Sequence, residues 1–187
     1  MTAKQKSVVI IITIFVILLF ILSVSGSKTK KVSEKENIPQ NKDEETAIFT
    51  IPGLTKADIV LNLEQKGIAC TEPGIGGDGL YSWECKEETS DHLYLVEVID
   101  KSTSEILSVQ ATVLNYGTGP TDEIVKDFLG YIASLPYTNA KQDQARNWLE
   151  QNLTKPNSTI INGVRFTLVG EDRSRMLTIA HENSDLD

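Results

Sequence analysis

Glu105 to Tyr116 reads EILSVQATVLNY, and its alternation decides the fold. Leu107, Val109, Ala111 and Val113 occupy every second position, while Ser108, Gln110 and Thr112 fill the positions between them. Residues two apart in a strand share a face, so one face of this strand is apolar and the other is wet. Sheets with one wet face are antiparallel and covered on one side only. Working outward, His92 to Asp100 forms a second long strand, joined to the first by a turn around Lys101 to Ser104. Before it, Leu80 to Lys86 places Tyr81, Trp83 and Cys85 on one face, and Ile68 to Glu72 makes a short strand separated from it by the loop Pro73 to Gly79.

Helix signals flank this block. A short strand AIFTI runs into Pro52 and Gly53, after which Thr55 to Gly67 carries a full set of boundary residues. Thr55 serves as the N-cap, Asp58 completes a capping box and Gly67 supplies a left-handed stop, with Ile59, Leu63 and Val60 as the buried stripe. Beyond the long strands, Gly117, Gly119 and Pro120 break the sheet. A helix then begins at Thr121 or Asp122, with an apolar stripe of Ile124, Phe128, Tyr131 and Ile132, and ends at Pro136. Asn139 to Leu153 forms another helix, turning Ala145, Trp148 and Leu149 toward the core. Strands return at Thr159 to Ile161, at Val164 to Val169 after the Asn162-Gly163 turn, and at Met176 to Ala180 after a polar turn. The sequence thus predicts an α+β domain over 47–182: a mainly antiparallel sheet with about three helices packed on one face.

Ahead of this domain, VVIIITIFVILLFILSV from Val8 to Val24 carries neither charge nor helix breaker. As a helix over 7–26 it measures about 30 Å, the thickness of a bilayer hydrocarbon core. The reading is an uncleaved, single-pass transmembrane anchor, preceded by a short basic N-terminus at 1–6 and followed by a flexible charged tether at 27–46. Residues 183–187 read as a disordered tail. A cleaved signal peptide is the competing reading, because Lys4 and Lys6 form a basic start and Ser23 and Ser25 are small; the protein is then secreted. No cysteine near the end of the run supports a lipid-modified N-terminus.

Positive charges do not decide orientation, since Lys4 and Lys6 stand on one side and Lys28, Lys30 and Lys31 on the other. The cysteines do. Cys70 and Cys85 flank the Gly-rich loop in a way that lets neighbouring strands be tied, and a disulfide is expected between them. Such a bond persists in an oxidising compartment, which puts the N-terminus in the cytoplasm and the domain outside it; two free thiols imply the reverse. The whole chain has a net charge of −8, and its first 46 residues are slightly basic, so the folded region carries the entire negative balance. That balance argues against nucleic acid, anionic lipid surfaces and anionic wall polymers as partners.

No catalytic constellation is visible. His92 and His181 lack a cysteine or carboxylate at metal-ligand spacing and read as solvent-facing strand ends. The glycines of PGIGGDG, Gly74, Gly76, Gly77 and Gly79, precede a strand rather than a helix and lack a following Lys-Ser/Thr, so they read as a hairpin tip rather than a phosphate loop. Glu87, Glu88 and Asp91, like Asp122, Glu123 and Asp127, lack the alternating ligands of a calcium loop and read as solvated faces. Asn152 and Asn157 begin N-glycosylation sequons. Tyr116 and Tyr137 lie beside turns, as core residues or as an exposed aromatic contact.

Ile51 to Ile68, IPGLTKADIVLNLEQKGI, is similar to the opening of a PASTA repeat, a resemblance that implies contact with cell-wall fragments; the spacing from Pro52 to Gly67 is shorter than in that pattern. The helix followed by Cys70, a loop and Cys85 is similar to half of a β-lactamase-inhibitor-protein-type domain, which implies protein binding. Neither assigns a family. The functional expectation is a membrane-anchored extracytoplasmic protein-binding or accessory domain with no cofactor or metal. Its partners are the lipid bilayer, through the helix, and a protein of the cell envelope. The alternative is an envelope-acting enzyme whose carboxylates are scattered in the sequence.

Overall fold

The computed structural model describes residues 48–184 apart from Gly77, Gly119, Pro120 and Glu171. The expected basic start, transmembrane helix and tether lie outside the described residues, as do residues 185–187 of the expected tail. Among the described residues no helix is long and apolar enough to cross a membrane.

Among the described residues the first element is α1 (Lys56–Glu64), followed by β1 (Ala69–Cys70), β2 (Gly74–Ile75), β3 (Tyr81–Glu88), β4 (His92–Ser102) and β5 (Glu105–Asn115). Two helices, α2 (Thr121–Ala133) and α3 (Gln142–Asn152), precede β6 (Asn157–Ile161), β7 (Val164–Val169) and β8 (Ser174–His181). The strands form one eight-stranded sheet in the order β1-β3-β4-β5-β8-β7-β6, with β2 also on β3, and every pairing is antiparallel. The described residues form an α+β domain with three helices and an antiparallel sheet, as expected from the sequence.

Local chemistry explains the best-defined corners. The Thr55 side chain accepts from the Asp58 amide at 3.3 Å, and Asp58 accepts in return from the Thr55 amide at 3.0 Å, so two otherwise orphaned donors at the start of α1 are satisfied. Between β6 and β7 the Asn162-Gly163 turn has φ values of 50° and 78°, the left-handed pair that a two-residue hairpin needs. Gly53 also has positive φ, and a Cβ built there would lie 2.2 Å from the Thr138 hydroxyl. Only glycine lets the 51–54 segment lie against the α2–α3 connection, where the Thr138 amide donates to the Pro52 carbonyl at 2.7 Å.

One core fills the space between helices and sheet. From the strands come Trp83, Cys85, Val96, Val98, Val109, Ala111, Val113, Phe166, Leu177 and Ile179; from the helices come Ile59, Leu63, Val125, Phe128, Leu129, Ile132, Ala145 and Leu149. Trp83 donates its indole N–H to the buried Asp100 carboxylate at 2.6 Å. Arg175, also buried, donates from Nε to the Leu153 carbonyl at 2.7 Å, setting a cation at the carbonyl-rich end of α3.

Several elements differ from the sequence expectation. Residues 48–51 form no strand; only the Ile51 amide reaches the sheet, at the Ile106 carbonyl, and Phe49 stacks on His181. The Gly-rich loop contains β2, while the strand expected over Ile68 to Glu72 shrinks to two residues. The register shifts between Ile99 and Ser102 bring Ile106 into the core cluster, while Leu107 is buried outside that cluster. In α2 the stripe is rotated, with Val125 and Leu129 fully buried while Ile124 and Tyr131 are only partly so. The last helix starts at Gln142, because Asn139 adopts φ 60° and breaks the helical path before it. Ser184 is buried and its amide bonds the His181 carbonyl, so ordered structure reaches past residue 182 into the expected tail.

Tyr94, Tyr131 and Tyr137 all lie on the helical side. Burial pushes each phenol above its ordinary value; Glu87 and Asp127 add to the shift at Tyr94, and a hydrogen bond from the Lys141 backbone partly offsets it at Tyr137. Because the folded state favours the neutral phenol, the stabilisation is complete below the unfolded value of about 10 and is lost as pH rises through the higher folded values. Urea midpoints are therefore expected to fall as pH rises above about 10, where the unfolded phenols ionise and these three stay neutral. A midpoint that stays level through that rise would contradict this.

Candidate functional site

The described helices cover one face of the sheet and leave the other open, and the registers define that open face row by row. One row runs Glu84, Glu97, Gln110, Thr178, Thr167 across β3, β4, β5, β8 and β7. The next runs Lys86, Leu95, Thr112, Met176, Val169, and the one after it brings Leu93 beside Leu114. Alternation within each strand puts these side chains opposite the core set. Leu93, Leu95, Leu114, Met176 and Val169 are half-buried. The result is an apolar band beside a polar row.

Over the polar row lies a depression of about 420 Å³, lined by Thr71, Ser82, Glu84, Glu97, Ile99, Ser108 and Gln110. Glu84 and Glu97 are direct cross-strand partners and both are exposed. Like charges placed opposite one another destabilise a sheet. Gln110 Nε2 donates to Glu97 at 3.1 Å, and the Thr71 hydroxyl bridges to the Glu84 backbone at 3.1–3.2 Å, so both strands are held in register beneath the carboxylates. The arrangement presents negative charge on a firm backbone, suited to meeting a cationic surface.

Cys70 and Cys85 are bonded to one another and are directly opposed in the β1–β3 pairing. His92 and His181 do not face solvent freely. His92 is half-buried against Tyr94 with ring centres 4.3 Å apart, and His181 Nδ1 accepts from the Asn183 amide at 3.1 Å. Of the two carboxylate groups singled out in the sequence, Glu87 and Asp127 line one groove, and among the described residues no three His, Cys, Asp or Glu side chains gather as an ion site. Of the tyrosines, Tyr116 is exposed, whereas Tyr137 is buried and donates to the Ile161 carbonyl at 3.2 Å. Asn152 is buried, donates to the Trp148 carbonyl and accepts from Asn157, so the two sequon side chains engage one another.

Sequence reasoning missed the Glu84–Glu97 pair. The residues that carry it are ordinary glutamates on the wet face of two strands, and only the pairing register brings them together. The chain matches no family model, and no match was found among curated proteins or solved structures.

Proposed function

We propose that this chain is a membrane-anchored extracytoplasmic binding domain that docks a protein of the cell envelope on the open face of its sheet. The observation that carries the reading is the uncovered band of Leu93, Leu95, Leu114, Met176 and Val169 beside the opposed Glu84 and Glu97. An apolar strip rimmed by charge is the pattern of a protein contact surface. The Cys70–Cys85 disulfide supports an oxidising compartment, and the apolar run Val8 to Val24 supports a retained anchor.

Site-specific photocrosslinking in intact cells tests it. A crosslinker at Leu95 or Met176 is expected to trap the same envelope protein, and one at Gln144, exposed on α3, is expected to trap none. Equal trapping at all three positions, or none at any, would overturn the reading.

A second reading rests on the same depression: an enzyme using Glu84 and Glu97. Acid–base catalysis needs two carboxyls in different environments, and these two share one solvent-facing row. The binding reading is therefore favoured.

A further inference from the structure

On the helical side of the sheet, β3, β4 and α2 meet the loop after α1 around a groove of about 300 Å³. Its walls are aromatic. Tyr94 stacks on Phe128 with ring centres 4.3 Å apart and planes 11° apart, and one turn along α2 stands Tyr131. Glu87 on β3 and Asp127 on α2 also line the groove, and neither makes an ion pair with a described residue. Both carboxylates lie close enough to raise the Tyr94 phenol, after burial itself. Tyr94 lies between His92 and Phe128, each 4.3 Å away, so the groove meets that stack at its edge and sets two carboxylates beside it and beside the Tyr131 ring.

The protein already places one cation there. Lys66 Nζ sits 4.4 Å from the centre of the Tyr131 ring, within cation–π range. Aromatic faces attract ammonium groups through the ring quadrupole, and flanking carboxylates add a Coulombic pull that grows as the site is withdrawn from water. One lysine against two carboxylates leaves the groove net negative.

We propose that this groove is a second contact site, distinct from the open face, that accepts a lysine side chain presented by a protein partner. The aliphatic stem of the incoming lysine lies beside Tyr94 and Tyr131, the half-buried rings of the groove, and its ammonium meets Glu87 and Asp127. Lys66 acts as the resident competitor and lowers the affinity for the arriving cation. Charge complementarity selects the occupant: a neutral side chain of equal length gains only the apolar contact.

The test uses the full-length chain, ring-labelled for NMR, titrated with trilysine and with its fully Nε-acetylated counterpart. Trilysine is expected to shift the Tyr94, Phe128 and Tyr131 ring signals saturably, and the acetylated peptide is not. The double substitution Glu87→Gln/Asp127→Asn is expected to weaken trilysine roughly tenfold, the scale of losing two close charge contacts near a surface. Lys66→Met is expected to tighten it, and Glu84→Gln/Glu97→Gln on the open face to leave it nearly unchanged. Unshifted ring signals, equal weakening by both double substitutions, or weaker binding after Lys66→Met would each overturn the proposal. Circular dichroism on every variant separates loss of binding from loss of fold.

Discussion

Phe166→Ala is expected to lower the stability of the domain by about 4 kcal/mol, near the upper end of single core truncations. Phe166 is fully buried in β7, pairs with Ile179 across to β8, and has its ring centre 6.2 Å from Trp148 and 6.3 Å from Tyr137. Trp148 belongs to α3 and Tyr137 to the α2–α3 connection, so one side chain joins the sheet to both. Removing the ring forfeits its transfer free energy and leaves a cavity between elements that cannot easily close, because β7 is fixed between β6 and β8. Urea unfolding followed by near-ultraviolet circular dichroism reads the loss. A midpoint shift equivalent to less than about 1.5 kcal/mol, the range of volume-conserving swaps, would mean that α3 is held by other contacts.

Opening the disulfide has the second largest expected effect. Cys70 and Cys85 are separated by 15 residues, a loop for which the chain-entropy model gives about 3 kcal/mol. The pair Cys70→Ala/Cys85→Ala is expected to lose that amount, and reduction of the native protein should lose nearly the same. The effect concentrates at one border of the sheet. There β1 and β2 contribute two residues each, too few ladder bonds to order the 71–80 loop without the covalent tie. Amide exchange should accelerate most in that loop and in β3. A reduced protein with unchanged exchange there would show that β3 is ordered by its pairing with β4 alone.

Much of the architecture was legible because local rules fix it. The Thr55 and Asp58 capping box, the Asn162-Gly163 turn and the alternation of β5 depend on residues within a few positions of each other, and each holds in the folded chain. What could not be read depends on register or on distance in the sequence. The β8 strand slots between β5 and β7, a placement set by non-local pairing. The bulge near Asp100 adds Ile106 to the core cluster and leaves Leu107 buried outside it, because a single extra residue shifts which side chains face the helices. In α2, apolar residues occupy two adjacent stripes, and periodicity cannot choose between Ile124 with Tyr131 and Val125 with Leu129 until the sheet is present. The same limit hid the candidate sites. Glu84 meets Glu97, and Lys66 meets Tyr131, across gaps that only the folded chain closes.

The sheet ends at β6, whose sequence, Asn-Ser-Thr-Ile-Ile, carries neither charge nor proline to discourage another strand. Asn157 supplies what composition omits: its side-chain oxygen takes the Ser158 amide at 2.8 Å, while its nitrogen is held by Asn152 at the end of α3. A hydrogen-bond donor that an approaching chain would use is thereby already spent within the molecule. A second copy laid along this border finds that donor taken and must break an internal bond to reach it.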